Sequence, residues 1–379
     1  MKIDELVWNK SDWIVKKPHM TDPLSAQLIF IFGDVDTIAE TVPITLLQAL
    51  YPNARIVGAS TAGTIESGTL AQHPLVATVV AFEQGWVEVA TMELLDNATL
   101  EERSQALIAQ LPQKNLKHVF VLMEGLKLNG SLFVKGLNPV DRKFPITGAL
   151  AGDGWKFDHT LIRSDREVKE FQSVAVGFYG DSLHIEVGHA TGWEEFGAER
   201  VITKSEGHVV YEIDDKPALK LYEDYLGEFI KDLPTSGLRF PLSVRENGDD
   251  NELARVMMGI NEDKSLVFGV DIPQGSIVRL MKTNVKNLIE GAESLAKGIG
   301  IHNEYPSLAI AISCSARRSV LKQLVGEELE ALRESLSKNT HICGFYSYGE
   351  IAPFADNLLD CKLHNQTMTL TVIYEDTDA

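Results

Sequence analysis

Two short runs of the chain concentrate side chains that could bind or react. Cys314-Ser-Ala-Arg317-Arg318 follows an apolar strand pattern and precedes a helical one. A thiol at a helix N-terminus beside arginines has a lowered pKa and becomes a nucleophile; its competing role is that of a small buried core residue. Arg317, on the first turn of that helix, could clamp a ligand carboxylate through two parallel hydrogen bonds. Its competing role is a structural ion pair, with Glu350 as a partner. Tyr346, Tyr348 and Glu350 alternate in sequence, so an extended segment would set all three on one side as a ligand wall. Asn365, next to His364, can donate and accept at once.

Other candidates are weaker in pattern. Ser60 and Thr61 lie in Gly58-Ala-Ser-Thr-Ala-Gly63, which approaches a nucleophile elbow. The second glycine falls one residue too far, however, and no His or Asp partner is identifiable. Hydrolase-like chemistry at Ser60 or thiol chemistry at Cys314 is therefore the rival enzyme reading. The glycines also leave backbone N–H groups open to an anion, or simply permit a tight turn. Asp153 and Asp158-His159 match no metal-loop spacing, and Asp153 reads as a turn cap. Covalent haem is excluded because Cys-x-x-Cys-His is absent. A non-covalent haem needs one axial His, Cys or Tyr and an apolar pocket. His189, in Val187-Gly-His-Ala-Thr-Gly-Trp193, and His364 are the candidate axial ligands, against the competing reading of structural histidines.

The elements that position these residues repeat. Leu28–Phe32, Val119–Met123 and Leu308–Ser313 are apolar strands. Each leads through a helical stretch to a short strand ending in a glycine loop, at Gly58–Gly63, Gly148–Gly154 and Gly344–Gly349, and then to a further strand. Threefold internal repetition predicts three equivalent loops on a shared face. The first two copies carry mostly small side chains there, so the third is the expected ligand site. Residues 1–27 read as a polar lead-in. A capped helix is expected from Thr99 with Glu102, and others from Asp215 with Pro217 and from Asn284 to about Lys297. Hairpins are expected over 199–213, across Asn247–Asn251, and between 265–270 and 276–281.

Composition sets outer bounds. The 379 residues are 44% apolar and 23% charged, ordinary for a globular protein of one or two domains. A formal net charge of −19 disfavours nucleic acid as a partner. No signal-peptide pattern and no membrane-length apolar run are visible, and three cysteines make no disulfide framework. A cytoplasmic protein is the expectation.

Gly58–Gly63, Gly148–Gly154 and the stretch from Gly192-Trp193 to Pro217-Ala-Leu-Lys-Leu-Tyr resemble the FIST N-terminal domain. Cys314-Ser-Ala-Arg317, Gly344–Ile351 and Leu363–Thr369 resemble the FIST C-terminal domain, so the resemblance covers about residues 25–370. It implies a mixed α/β fold in two domains, assigned to 28–213 and 214–373, with strand–helix–strand units forming sheets flanked by helices. It also implies a sensory module that binds a small ligand, such as an amino acid or another small anion, and modulates a separate histidine kinase or cyclic-di-GMP enzyme. The stand-alone branch implies haem b and nitric-oxide detection. Arg317, Tyr346, Tyr348, Glu350, Asn365, Cys314, Ser60 and Thr61 are the ligand-binding candidates, and a homo-oligomer is an open expectation.

Overall fold

The first strand of each unit is almost wholly apolar, the pattern of a strand buried on both faces. The computed structural model describes residues 1–139, 141–248, 251–299 and 305–376. In it these strands are Leu28–Gly33, Leu116–Met123 and Ser307–Cys314, each inside its own sheet. Each pairs in parallel with the second strand of its unit (Arg55–Ser60, Ile146–Leu150, Thr340–Ser347). Each pairs antiparallel with the third (Leu75–Ala81, Gln172–Tyr179, Met368–Glu375).

The sheets are completed by exchange. The chain leaving each second strand pairs with a different unit. Thr64–Glu66 of the first unit joins Thr340–Ser347 of the third. Ile162–Ser164 of the second joins Arg55–Ser60 of the first, and Gly349–Phe354 of the third joins Ile146–Leu150 of the second. The opposite edges follow the same rule: Trp86–Glu93 adds to the second sheet and Leu183–Ala190 to the third. Lys2–Trp8 fills the matching place in the first. Residues 1–27 are thus part of the fold rather than a lead-in, because that strand is covered on both faces: Ile3 is buried in the inner cluster, and Leu6 and Trp8 in the cluster under the helix Thr41–Leu50.

Alternation along the strands divides the core. Phe30 and Phe32, Phe120 and Leu122, Ile310 and Ile312 point inward to one cluster shared by the three sheets. Phe30 meets Phe120 edge-on at 5.6 Å and Phe32 meets Phe345 at 4.8 Å between centroids. The outward residues pack under helices: Thr41–Leu50 on the first sheet, Leu100–Ala109 and Gly130–Gly136 on the second, Val285–Gly298 and Val325–Ser335 on the third. An eight-stranded sheet is inserted between Ala190 and Ser307, covered by the helix Leu219–Tyr225. The result is a mixed α/β fold of repeated strand–helix units in two domains.

Local expectations met mixed outcomes. Asn284 caps its helix by accepting from Asn287 N at 2.9 Å. Thr99 does not cap by accepting; its amide and hydroxyl both donate to Asp96 Oδ1 at 2.9 Å. The helix expected from Asp215 starts at Leu219, because Lys216–Pro217 first pairs with Glu212–Ile213. Leu242–Arg245 and Glu252–Arg255 form the expected hairpin; Asp249 and Asp250 of its tip lie outside the described residues. The strands Leu266–Phe268 and Ile277–Lys282 do not pair with each other: one joins Val209–Ile213, the other Glu194–Glu206. Among the described residues, no helix is long and apolar enough to cross a membrane.

Candidate functional site

The three glycine loops meet at one end of the three-sheet body. Ala62 N donates to Tyr346 O at 2.8 Å, Gly152 N to Ser60 O at 2.9 Å, and Tyr348 N to Leu150 O at 3.3 Å. These positions are equivalent in the three units, so the bonds form a closed ring in which each loop donates to a neighbour. Two of the donors, Ala62 and Gly152, are small, and at Gly152 this is a steric need: a Cβ there would stand 2.7 Å from Ala62 N. The third donor is Tyr348, and it breaks the symmetry by filling the space beyond the ring.

Against this end lies the inserted sheet, and between them is a cleft of about 360 Å³. The third unit contributes Cys314, Ser315, Tyr348 and Asn365, and the second unit the loop Gly125–Asn129 with Trp155 and Phe157. Val256, Met258, Val267, Phe268 and Asp271 close it from the inserted sheet. Phe157 stacks on Tyr348 at 5.3 Å, and Trp155 meets Phe157 edge-on at 5.5 Å. Both Trp155 and Phe157 have left-handed backbones, at φ 69° and 52°, conformations that side chains other than glycine seldom adopt.

A short network holds that geometry. Asp153 accepts from Phe157 N at 3.1 Å and Asp158 N at 2.8 Å, and from the Tyr348 hydroxyl. Trp155 N donates to Tyr348 Oη at 2.9 Å. Burial alone would raise the Asp153 pKa, but the bonds from Tyr348 and these amides outweigh it and hold it below the usual carboxylate range. Glu124 does similar work for the opposite wall: its buried carboxylate accepts from the amides of Leu126, Lys127 and Leu128 at 3.0, 2.8 and 2.5 Å. Neither Glu124 nor the Trp155–Phe157 pair stood out in the sequence. The available signal was an acid directly after a buried strand, and aromatics directly after a glycine loop.

The candidates from the sequence separate into two groups. Tyr348, Asn365 and Cys314 line the cleft. The Asn365 amide nitrogen donates to His364 O at 3.1 Å, while its Oδ1 is buried with no partner. Cys314 is buried and carries no activated thiol: desolvation pushes its pKa far up, and nearby Glu350 adds to the rise. Tyr346 and Glu350 do not stand beside Tyr348, because the chain crosses from the third sheet to the second there. Tyr346 donates to Glu328 at 3.1 Å under the helices. Glu350 turns inward, accepting from Ser347 Oγ at 2.6 Å and Thr367 Oγ1 at 2.8 Å. Arg317 is fully buried and paired with Glu328 at 2.7 Å rather than with Glu350, so it is no ligand clamp. Ser60 accepts from Leu161 N at 2.9 Å, and Thr61 bonds Thr64 at 3.1 Å; both are buried in the loop framework.

His189 and His364 come together, with ring centroids 4.6 Å apart, and both rings lie 5.1 Å from Phe354. His364 Nε2 is engaged by Ala352 O at 3.0 Å. Burial lowers the pKa of both, most strongly that of His364. An axial imidazole must aim a free nitrogen into a flat apolar slot. These two rings pack on each other and do not line the cleft, so the pair does not fit haem. Among the described residues no group of three or more His, Cys, Asp or Glu side chains could hold a metal ion.

The FIST N domain model matches residues 27–216 and the FIST C domain model residues 218–353. The chain belongs to the FIST family. FIST domains are sensory modules, which agrees with a regulatory role. An uncharacterized protein of Methanocaldococcus jannaschii is similar, 27% identical over 267 residues, covering 61% of this chain and 49% of its own length. The chain thus spans about half of the curated relative it matches. Among solved structures, cyanuric acid hydrolase from A. caulinodans aligns over 94% of this FIST chain and 91% of its own, with a TM-score of 0.33 and 9% identity.

Proposed function

We propose that this FIST protein senses a small ligand held in the cleft between the loop ring and the inserted sheet, and passes the signal to a separate signalling enzyme. The observation that carries this reading is Asn365 Oδ1. It is a buried acceptor without a partner on the wall of a cleft that is otherwise largely apolar. Leaving such an atom unmatched costs about 1–3 kcal/mol, a cost that a ligand bearing an N–H or O–H donor would remove. The stacked Phe157 and Tyr348 rings supply a flat surface for the ligand's body.

The site has two sides from two parts of the fold, so a ligand touching both would fix the inserted sheet against the loop ring. That is a route from binding to output. A histidine kinase or a cyclic-di-GMP enzyme is the kind of partner the family suggests. Donor-bearing ligands suit the cleft better than bare anions. The Lys127 ammonium on its rim is paired with Glu170 at 2.8 Å, and Arg317 is sequestered.

The test is a thermal-shift screen of the full chain with amino acids, primary amines and primary amides, repeated on Asn365→Leu. A compound that stabilises the wild type should bind the variant at least tenfold more weakly. A hit that stabilises both equally would remove Asn365 from the site, and a screen without hits would sink the ligand class.

A further inference from the structure

A second cavity of about 450 Å³ lies on the far side of Asp271 from the cleft. Arg255, on the strand Glu252–Arg255, lines it and is only 4% exposed. Its Nη1 donates to Leu363 O at 2.7 Å, while its Nε is buried without a partner. No carboxylate forms an ion pair with it among the described residues. Buried guanidinium groups are ordinarily paired, because an unpaired charge in a low-dielectric site is costly. Burial draws the Arg255 pKa down to about 10, with Glu246 and Asp271 pulling the other way, so the group is charged at neutral pH.

The other cations on this wall are already matched. Lys362 pairs with Asp360 at 3.0 Å and Lys135 with Glu101 at 2.8 Å. Arg255 is therefore the lining cation with no ion-pair partner among the described residues: Glu246 and Asp271 act on its charge without contact, and its Nε is left for an acceptor. Glu246 and Asp271 share the lining and weigh against any negative charge beyond the single one that the Arg255 guanidinium offsets. Leu132, Val134, Leu253, Pro273 and Leu363 make up the apolar part. We propose that this cavity is a separate anion site, in which Arg255 binds a small monocarboxylate carrying a short apolar tail. The planar guanidinium suits a carboxylate, the acidic rim selects a single charge, and the apolar lining takes the tail. This site is independent of whatever the cleft binds.

The experiment is calorimetric titration of the full chain with acetate, butyrate and inorganic phosphate. Butyrate should bind saturably, about tenfold more tightly than acetate because two further CH₂ groups are buried, and more tightly than phosphate. Arg255→Met should weaken butyrate at least tenfold. Should that variant fail to fold, Glu246→Gln on the rim keeps the test open: relieving its repulsion should tighten butyrate about twofold or more. Equal butyrate affinity in wild type and Arg255→Met would overturn the site. So would an unchanged affinity in Glu246→Gln, tighter binding of phosphate than butyrate, or no saturable butyrate binding at all.

Discussion

Arg317 and Glu328 form a fully buried ion pair in which the Arg317 Nε and Nη2 both donate to Glu328 Oε1, at 3.0 and 2.7 Å. The remaining donors reach backbone: Nη2 to Leu288 O at 3.0 Å, and Nη1 to Gln366 O at 3.4 Å and to Thr191 O. Tyr346 completes the carboxylate by donating to Oε2. One pair thus ties three helices, Ser315–Leu321, Val325–Ser335 and Val285–Gly298, to the last loop of the third unit. Removing either partner leaves a buried charge, so Arg317→Ala and Glu328→Ala should each cost about 3–5 kcal/mol in urea unfolding. The double variant Arg317→Met/Glu328→Leu should recover most of that. A single variant within about 1 kcal/mol of wild type would mean that the pair contributes little.

The three units share a close approach that gives a symmetric prediction. A Cβ on Gly58, Gly148 or Gly344 would run into the carbonyl oxygen of Ile31, Val121 or Ala311 respectively, each directly opposite in the register. Alanine at each position should destabilise by about 1–3 kcal/mol or more, because the obstacle is backbone and cannot yield. Gly326 is the control. It lies in the helix Val325–Ser335, where a Cβ would meet nothing within 4 Å, and Gly326→Ala should stabilise by about 0.5–1 kcal/mol. Thermal melts of the four variants check both halves of the claim.

These glycines explain what the sequence disclosed. Strict repetition of apolar strand, glycine and apolar strand is a property of each unit alone, so the units were legible. The exchange of Thr64–Glu66, Ile162–Ser164 and Gly349–Phe354 between sheets is a property of the assembly, and no local pattern encodes it. That is why alternation misled at Tyr346, Tyr348 and Glu350: the rule of two holds within one sheet, and this segment changes sheets in the middle. Asn365 and Tyr348 were found because their chemistry is unusual at a loop. Asp271 and Phe268 were missed because the inserted sheet, far along the chain from the loops of the second unit, reaches the cleft only through tertiary packing.

Glu350 predicts a pH dependence. Burial pushes its pKa up to about 7, despite opposing bonds from Ser347 and Thr367. Its native pKa thus lies above the ordinary glutamate value of 4.5, and between the two the native state holds a proton that the unfolded chain has released. The resulting stabilisation is fully present below about pH 4.5, declines as pH rises between the two values and is gone above about 7. It amounts to roughly 3 kcal/mol in all. Glu350→Gln keeps a neutral amide and should flatten this part of the profile. The stability difference between variant and wild type, followed by urea unfolding from about pH 4.5 to about pH 8, should move in favour of the variant as pH rises. A difference that stays constant with pH would show that Glu350 ionises normally.

Tyr348 links the loop ring to the cleft, so its hydroxyl can be tested apart from its ring. Tyr348→Phe keeps the stack on Phe157 but removes the bonds to Asp153 and from Trp155 N. Asp153 retains the amides of Phe157 and Asp158, so the loss should be about 1.5–3 kcal/mol, the range for a hydrogen bond to a charged acceptor. Trp155 should become more mobile, because its backbone is held in the left-handed region partly by that hydroxyl. Its fluorescence should then be quenched more readily by acrylamide, measured against a Trp155→Phe background to subtract the remaining tryptophans. Unchanged quenching and unchanged stability together would assign the wall's geometry to Asp153 alone.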